Sequence, residues 1–96
     1  MMTLADIIEK LNDFDDNLTI YAERNPQWSG ASNAVVCLEN ENGEVIDAPP
    51  SLSYLLEVDI AKEVMEVWID WHKRKPSTEE KCSAIIYYAE NDAYIE

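Results

Sequence analysis

Apolar side chains recur every three or four residues in three segments of the chain, which is the spacing of one helix face. The first segment predicts an amphipathic helix over residues 4–14. The second predicts a helix that begins at Asp59 as N-cap and runs to about Arg74, with Pro76 stopping it. The third segment, after this proline, predicts a last helix. The pattern therefore predicts three amphipathic helices.

Capping residues support two of these helix starts. Thr3 is followed three positions later by Asp6, and Ser77 is followed at the same spacing by Glu80. In a capping box, the first side chain accepts from a backbone N–H of the new helix, and the acidic side chain accepts from the backbone N–H of the cap residue. Both pairs are expected to fix the first turn of their helices.

Short segments rich in β-branched and aromatic residues lie between the first two helices and predict strands. Residues 18–23 and 34–40 are the clearest. Residues 53–58 are compatible with a strand or with the leading turn of the next helix, and the strand is favoured. The fold class expected is α+β, with three helices packed on a small antiparallel sheet in one domain over residues 1–96.

A hairpin is expected within this sheet. Asn42 and Gly43 form the dipeptide that suits a type I′ turn, so Val45 and Ile46 are expected to pair back on the preceding strand. The prediction is a hairpin over residues 34–46.

The charge is strongly one-sided, with 20 Asp and Glu against seven Lys and Arg and a formal net charge of −13. Repulsion at this density destabilises the compact state, so either a basic partner or a sufficient core must offset it. An apolar share of 47% excludes a disordered acidic tail. Direct nucleic-acid binding is not expected, because it needs a basic footprint and only residues 72–75 supply one.

The expected location is the cytoplasm. Apolar stretches such as residues 84–89 are far shorter than the ~20 residues that span a bilayer, so no membrane is expected as a partner. The first residues lack the basic and apolar regions of a signal peptide. Cys37 and Cys82 are expected to be buried thiols, with a disulfide as the minor alternative, and their spacing suits no metal site.

Catalysis has few residues to build on. His72 is the single imidazole, so a Cys–His or Ser–His nucleophile pair would need it. Gly30 and Gly43 are the two glycines, too few for a phosphate-binding loop. The sequence predicts no enzyme, no catalytic residue, no metal and no cofactor.

The predicted second helix carries the most specific signal. At 100° per residue, Asp59, Glu63, Glu66 and Asp70 fall within a stripe about 60° wide. Like charges at this spacing oppose helix stability by about 0.2–0.5 kcal/mol per pair, and Lys62 beside them relieves this in part. The stripe is either a solvated face or an anionic surface that docks Arg and Lys of a partner.

Aromatic residues offer candidate anchors. Trp28 lies in a loop and either folds over the edge of the core or projects outward as an interface anchor. Trp68 and Trp71 are assigned mostly to the core by their helical positions, with the alternative that two aromatic residues three positions apart leave one rim exposed. At least one of the tyrosines near the end of the chain is expected to face solvent. The candidate partner-binding residues are Glu63, Glu66, Asp70, Trp28 and Tyr94.

The net charge, the acidic stripe of the second helix and the acidic tail of residues 90–96 together carry a resemblance. In size and character the chain resembles small acidic bacterial immunity proteins of toxin systems, including contact-dependent inhibition systems. The resemblance implies a non-catalytic protein that neutralises a basic toxin domain, such as a nuclease. Two alternatives stay open: an adaptor or regulatory subunit for another basic protein, and a DNA-mimic inhibitor, which the scattering of the acids disfavours. The oligomeric state is not predicted.

Overall fold

The computed structural model describes residues 2–24, 26–38 and 51–94. Three α-helices pack on a four-stranded antiparallel sheet, which confirms the predicted α+β class. Along the chain the elements are β1 (Met2–Thr3), α1 (Leu4–Glu9), a 3₁₀ turn (Leu11–Asp13), β2 (Leu18–Ala22), β3 (Asn33–Leu38), β4 (Ser53–Glu57), α2 (Val58–His72) and α3 (Thr78–Asn91).

The sheet has the strand order β1-β3-β2-β4. Its central pair is a hairpin in which β2 and β3 run antiparallel, with Leu18 opposite Leu38 and Ala22 opposite Ala34. β4 is a strand, as favoured, and pairs with β2. β1 was not predicted, because two residues are too short to show a period. The predicted turn and return strand of residues 42–46 lie outside the described residues.

Alternation along the strands places the helices on one face of the sheet. Ile20, Ala22 and Ala34 point into the large core shared with the helices. Tyr21 and Cys37, one residue out of step, belong to a small separate cluster on the opposite face. The two-residue period of the strands thus decides which face the helices cover.

The first helix is shorter than predicted. α1 ends at Glu9, and the N–H of Lys10 is shared between the carbonyls of Asp6 (3.3 Å) and Ile7 (3.1 Å). This sharing tightens the backbone into the 3₁₀ turn that follows. Leu11 in this turn is buried, like the apolar residues of α1. The apolar period therefore continues past the end of the α-helix.

The predicted N-cap of α2 was wrong by two positions. β4 runs into α2 without a linker, so the extended backbone of Glu57 takes the N-cap position and Asp59 lies in the first turn. At the other end the helix stops at His72, and Lys73 adopts a left-handed conformation with φ 56°. The Lys73 N–H still donates to the carbonyl of Ile69, at 2.8 Å.

Both predicted capping boxes are confirmed. The Thr3 hydroxyl accepts from the N–H of Asp6, and the carboxylate of Asp6 accepts from the N–H of Thr3. Ser77 and Glu80 make the same reciprocal pair at the start of α3. Among the residues that the structure describes, no helix is long and apolar enough to cross a membrane.

Candidate protein-binding surface

The two faces of α2 differ in chemistry: the inner face is apolar and the outer face is acidic. Ala61, Val64 and Trp68 are buried against the rest of the core. Glu63, Glu66 and Asp70 point away from these residues and are exposed. We call these three residues the α2 acidic strip.

Lys62 does not neutralise the strip. Its ammonium group donates to the carbonyl of Phe14 at 2.8 Å and to Oδ1 of Asp16 at 2.6 Å. The lysine therefore links α2 to the chain segment after the 3₁₀ turn. Its charge compensates Asp16 and not the carboxylates of the strip, so the predicted partial relief of their repulsion is not seen in these contacts. Within the strip, Asp70 has a long ion pair of 3.4 Å with Lys73, and both side chains are largely exposed. Such exposed pairs contribute little.

Tyr94 lies beside the strip. Partial burial, together with the neighbouring carboxylate of Glu63, raises the pKa of the Tyr94 hydroxyl above its usual value. The Tyr94 ring packs edge-on against Trp71, with centroids 6.1 Å apart. The structure thus brings the predicted residues Glu63 and Tyr94 together.

Trp71 corrects one prediction. Trp68 is 5% exposed, as expected of a core residue, whereas Trp71 is 49% exposed. Trp71 lies about 60° around the helix from Trp68, which carries it from the buried face to its boundary. Its aromatic neighbour Tyr94 comes from beyond the end of α3, and half of Trp71 stays open to solvent. Trp71 and Tyr94 form what we call the aromatic edge of the strip.

Other carboxylates hold the helices together. Arg74 makes a bidentate contact with Glu80, with Nη1 2.9 Å from Oε1. This arginine and the N–H of Ser77 lower the pKa of Glu80 from 4.5 to about 2. Glu9 accepts from the hydroxyl of Thr78 at 2.7 Å and from Lys81 at 3.1 Å. These contacts engage Arg74 and Lys81 with carboxylates outside the α2 acidic strip, and Glu66 lines one pocket together with Lys62, Lys75 and Lys81.

Trp28 lies in a different place. Its indole N–H donates to the carbonyl of Ala22 at 3.0 Å, and the guanidinium of Arg24 lies 4.1 Å from its ring centroid. The ring is half-buried against the core, which agrees with the first of the two alternatives, a ring folded over the core edge. It also lines an open groove whose residues come from α1, residues 27–30 and α3. We call this the α3 groove, and none of the three residues of the α2 acidic strip lines it.

Comparison with models of protein families assigns the whole chain to one family. A family model described as a domain of unknown function, DUF7716, matches residues 1–96. The chain belongs to the DUF7716 family. No curated protein and no solved structure matches it.

Cys37 and Cys82 are both buried, as predicted. Burial, and secondarily the charge of Glu9, raises the pKa of the Cys82 thiol, which disfavours the nucleophilic thiolate. The His72 ring stacks on Trp68 at 3.9 Å. Residues 2–24, 26–38 and 51–94 contain no group of three His, Cys, Asp or Glu placed to hold a metal ion.

The five candidate residues predicted from the sequence lie on two different surfaces of the DUF7716 domain. Glu63, Glu66, Asp70 and Tyr94 belong to the outer side of α2, and Trp28 belongs to the α3 groove. Trp71, which was assigned mostly to the core with an exposed rim as the alternative, was not among these five residues. Tyr87, which is 40% exposed in the α3 groove, fulfils the prediction that at least one late tyrosine faces solvent.

Proposed function

We propose that this DUF7716 domain is a non-catalytic protein-binding domain that acts as a cytoplasmic immunity protein, neutralising a basic toxin domain, of nuclease type, through the α2 acidic strip. The observation that carries the proposal is the exposure of the strip together with the engagement of Lys62 by Phe14 and Asp16. Lys62 is thereby engaged away from Glu63 and Glu66, which are exposed on the outer face of α2, with the Tyr94 hydroxyl beside Glu63.

The energetics favour a cationic partner. Like charges three or four residues apart disfavour a helix by about 0.2–0.5 kcal/mol per pair, so the strip opposes folding in the unbound domain. A basic surface placed against it removes this repulsion and gains opposite-charge contacts. A nuclease has such a surface, since it must attract a polyanion. The fit between an acidic strip and a basic cleft supports this class of partner.

The aromatic edge is suited to slow the dissociation of a partner, which the charges of the strip do little to affect. Charged rims mainly speed association, whereas well-packed aromatic residues slow dissociation. Trp71 is exposed beside Glu63 and Asp70 on the same helix, and Trp is enriched among residues that dominate binding energy. We propose Trp71, with Tyr94 behind it, as the anchor of this interface.

The test is co-expression with the product of the neighbouring gene, followed by pull-down, growth rescue and measurement of association kinetics. The variant E63Q/E66Q/D70N is expected to slow association at low salt by at least about tenfold and to flatten its salt dependence. W71A is expected mainly to raise the dissociation rate. The variant D13N/D15N/D92N makes the same change in net charge at exposed positions outside the strip and is expected to bind within about twofold of the unmodified domain.

Two results would contradict the proposal. If the neighbouring product binds but is not toxic, the domain is an adaptor rather than an immunity protein. If rescue and kinetics survive both the triple neutralisation and W71A, the interface lies elsewhere.

A further inference from the structure

The α3 groove is a second surface that the proposed function does not use. Its walls carry two aromatic rings, Trp28 and the exposed Tyr87, and Ile86 lines it from α3 next to Tyr87. Small residues form part of its lining, among them Gly30 and Ala5. The groove is open to solvent and has a volume of about 750 Å³. It can therefore hold several side chains of a bound segment.

The groove is formed before any ligand arrives. The Trp28 ring is fixed by its hydrogen bond to the carbonyl of Ala22 and by Arg24 against its face. The loop that carries it is held to α1, since the N–H of Ala5 donates to the carbonyl of Gly30 at 2.9 Å. A groove that needs no reordering loses less entropy on binding.

Gly30 brings the loop close to α3 and α1 at the edge of the groove. A Cβ at this position would lie 3.3 Å from the Sγ of Cys82 and 3.6 Å from the Cβ of Ala5. A larger side chain here would therefore press on Cys82.

The groove is apolar inside and acidic at its rim. Glu79 and Glu90 line it from one side of α3 and are exposed. Of the nearby cations, Lys81 contacts Glu9 and Arg74 contacts Glu80, whereas Arg24 lies against the Trp28 ring. An apolar side chain enters such a groove most favourably when positive charges flank it.

We propose that the α3 groove binds a segment of a partner protein in which one aliphatic side chain is flanked by lysine or arginine. The aliphatic side chain packs between Trp28 and Ile86, and the flanking cations contact Glu79 and Glu90. This surface is separate from the α2 acidic strip, so it goes beyond the proposed function and can hold or fail independently.

The experiment uses the complete domain and a capped pentapeptide, Gly-Lys-Leu-Lys-Gly, with binding followed by NMR. The indole N–H signal of Trp28, assigned by its loss in W28F, and the methyl signals of Ile86 are expected to shift and saturate at millimolar peptide. The peptides Gly-Glu-Leu-Glu-Gly and Gly-Lys-Gly-Lys-Gly are expected to leave both signals in place. Shifts at the Trp71 indole instead of Trp28, or equal shifts with either control peptide, would overturn the proposal.

A pair of matched variants separates local contacts from net charge. E79Q/E90Q is expected to weaken peptide binding about three- to tenfold, as two exposed ion pairs would. E63Q/E66Q changes the net charge equally on the other surface and is expected to leave the dissociation constant within about twofold. Equal weakening by both variants would show non-specific attraction and overturn the proposal.

A second copy of the chain is the competing occupant. The Trp28 and Ile86 signals are therefore also followed as a function of protein concentration without peptide. If they shift with concentration and the peptide reverses the shift, a second copy fills the groove and the proposal of a different partner protein is contradicted. Signals that are independent of protein concentration support the proposal. No toxin enters these measurements, so their failure leaves the test of the α2 acidic strip unaffected.

Discussion

The outer face of α2 and the junction between α2 and α3 are both built from charged residues, yet they use them in opposite ways. At the junction, Glu80 is held by Arg74 and by the N–H of Ser77. On the outer face, Glu63 and Glu66 point to solvent. The carboxylate at the junction is bound by neighbouring groups, whereas the carboxylates of the strip are expected to oppose folding through their mutual repulsion. The comparison shows that the net charge of −13 is not a uniform property of this surface.

The largest expected effect contrasts the two sides of α2. Trp68 fills the core and stacks with His72, whereas Trp71 is half exposed. W68A should lower the free energy of unfolding by about 3–5 kcal/mol, a large part of the stability of a small domain. W71A should lower it by less than about 1 kcal/mol. Urea denaturation of both variants measures this, and similar losses would show that Trp71 is a core residue.

The second prediction concerns Glu80 and pH. Its pKa in the folded domain, about 2, lies below the usual value of 4.5. A depressed carboxyl pKa contributes stability that is complete above about pH 4.5 and is lost as the pH falls towards about 2. E80Q should therefore melt below the unmodified domain at pH 7, and the two melting temperatures should converge between these pH values.

The control for Glu80 is E66Q, a carboxylate on the outer face of the neighbouring helix. E66Q removes the same charge without breaking a capping box or an Arg74 contact, so it should not lower the melting temperature at pH 7. A gap between E80Q and the unmodified domain that stays constant down to pH 2 would contradict the assigned role of the Glu80 carboxylate.

The third prediction tests the same junction through its uncharged partner. The Ser77 hydroxyl accepts from the N–H of Glu80 at 3.2 Å and caps α3. S77A should cost about 1 kcal/mol, which corresponds to about 4–8 °C in melting temperature for a domain of this size. S77D keeps an acceptor at the cap and should recover most of this loss. Equal melting temperatures of S77A and the unmodified domain would show that the Ser77 cap does not stabilise the junction.

The sequence predicted the features that depend on local spacing. Both capping boxes, the buried position of Trp68 and the strand at residues 53–57 follow from neighbours a few positions apart, and all are confirmed. The start of α2 was missed because the strand before it supplies the N-cap backbone directly, so no capping side chain is needed.

Long-range contacts explain most of the remaining differences. Lys62 reaches Asp16, which is 46 positions away in the sequence, and no local pattern indicates that the lysine turns from its helical neighbours. The exposure of Trp71 depends on where Tyr94 lies after α3 ends. Trp28 and the late tyrosine Tyr87 meet in one groove only because α3 packs beside residues 27–30. The acidic stripe itself was predicted, but the engagement of Lys62 away from it was not.

The smallest expected effect tests whether the α2 acidic strip opposes folding. The strip contains like-charge neighbours at positions 63, 66 and 70, and the exposed contact between Asp70 and Lys73 offsets little of their repulsion. E63Q/E66Q/D70N should therefore raise the free energy of unfolding by about 0.5 kcal/mol at low salt, whereas D13N/D15N/D92N should raise it less. Thermal melting in a low-salt buffer measures both, and a lower melting temperature in the strip variant would show that these carboxylates stabilise the domain.

Salt should reproduce the effect without mutation. At about 0.5 M sodium chloride the screening length falls well below 10 Å, so the exposed charges of the strip no longer repel one another. The melting temperature of the unmodified domain should rise, and that of E63Q/E66Q/D70N should rise less because the screened repulsion is already gone. Chloride is used in place of sulfate to keep exclusion effects small. Equal increases in both proteins would place the repulsion elsewhere on the surface and would remove the energetic reason for assigning a cationic partner to α2.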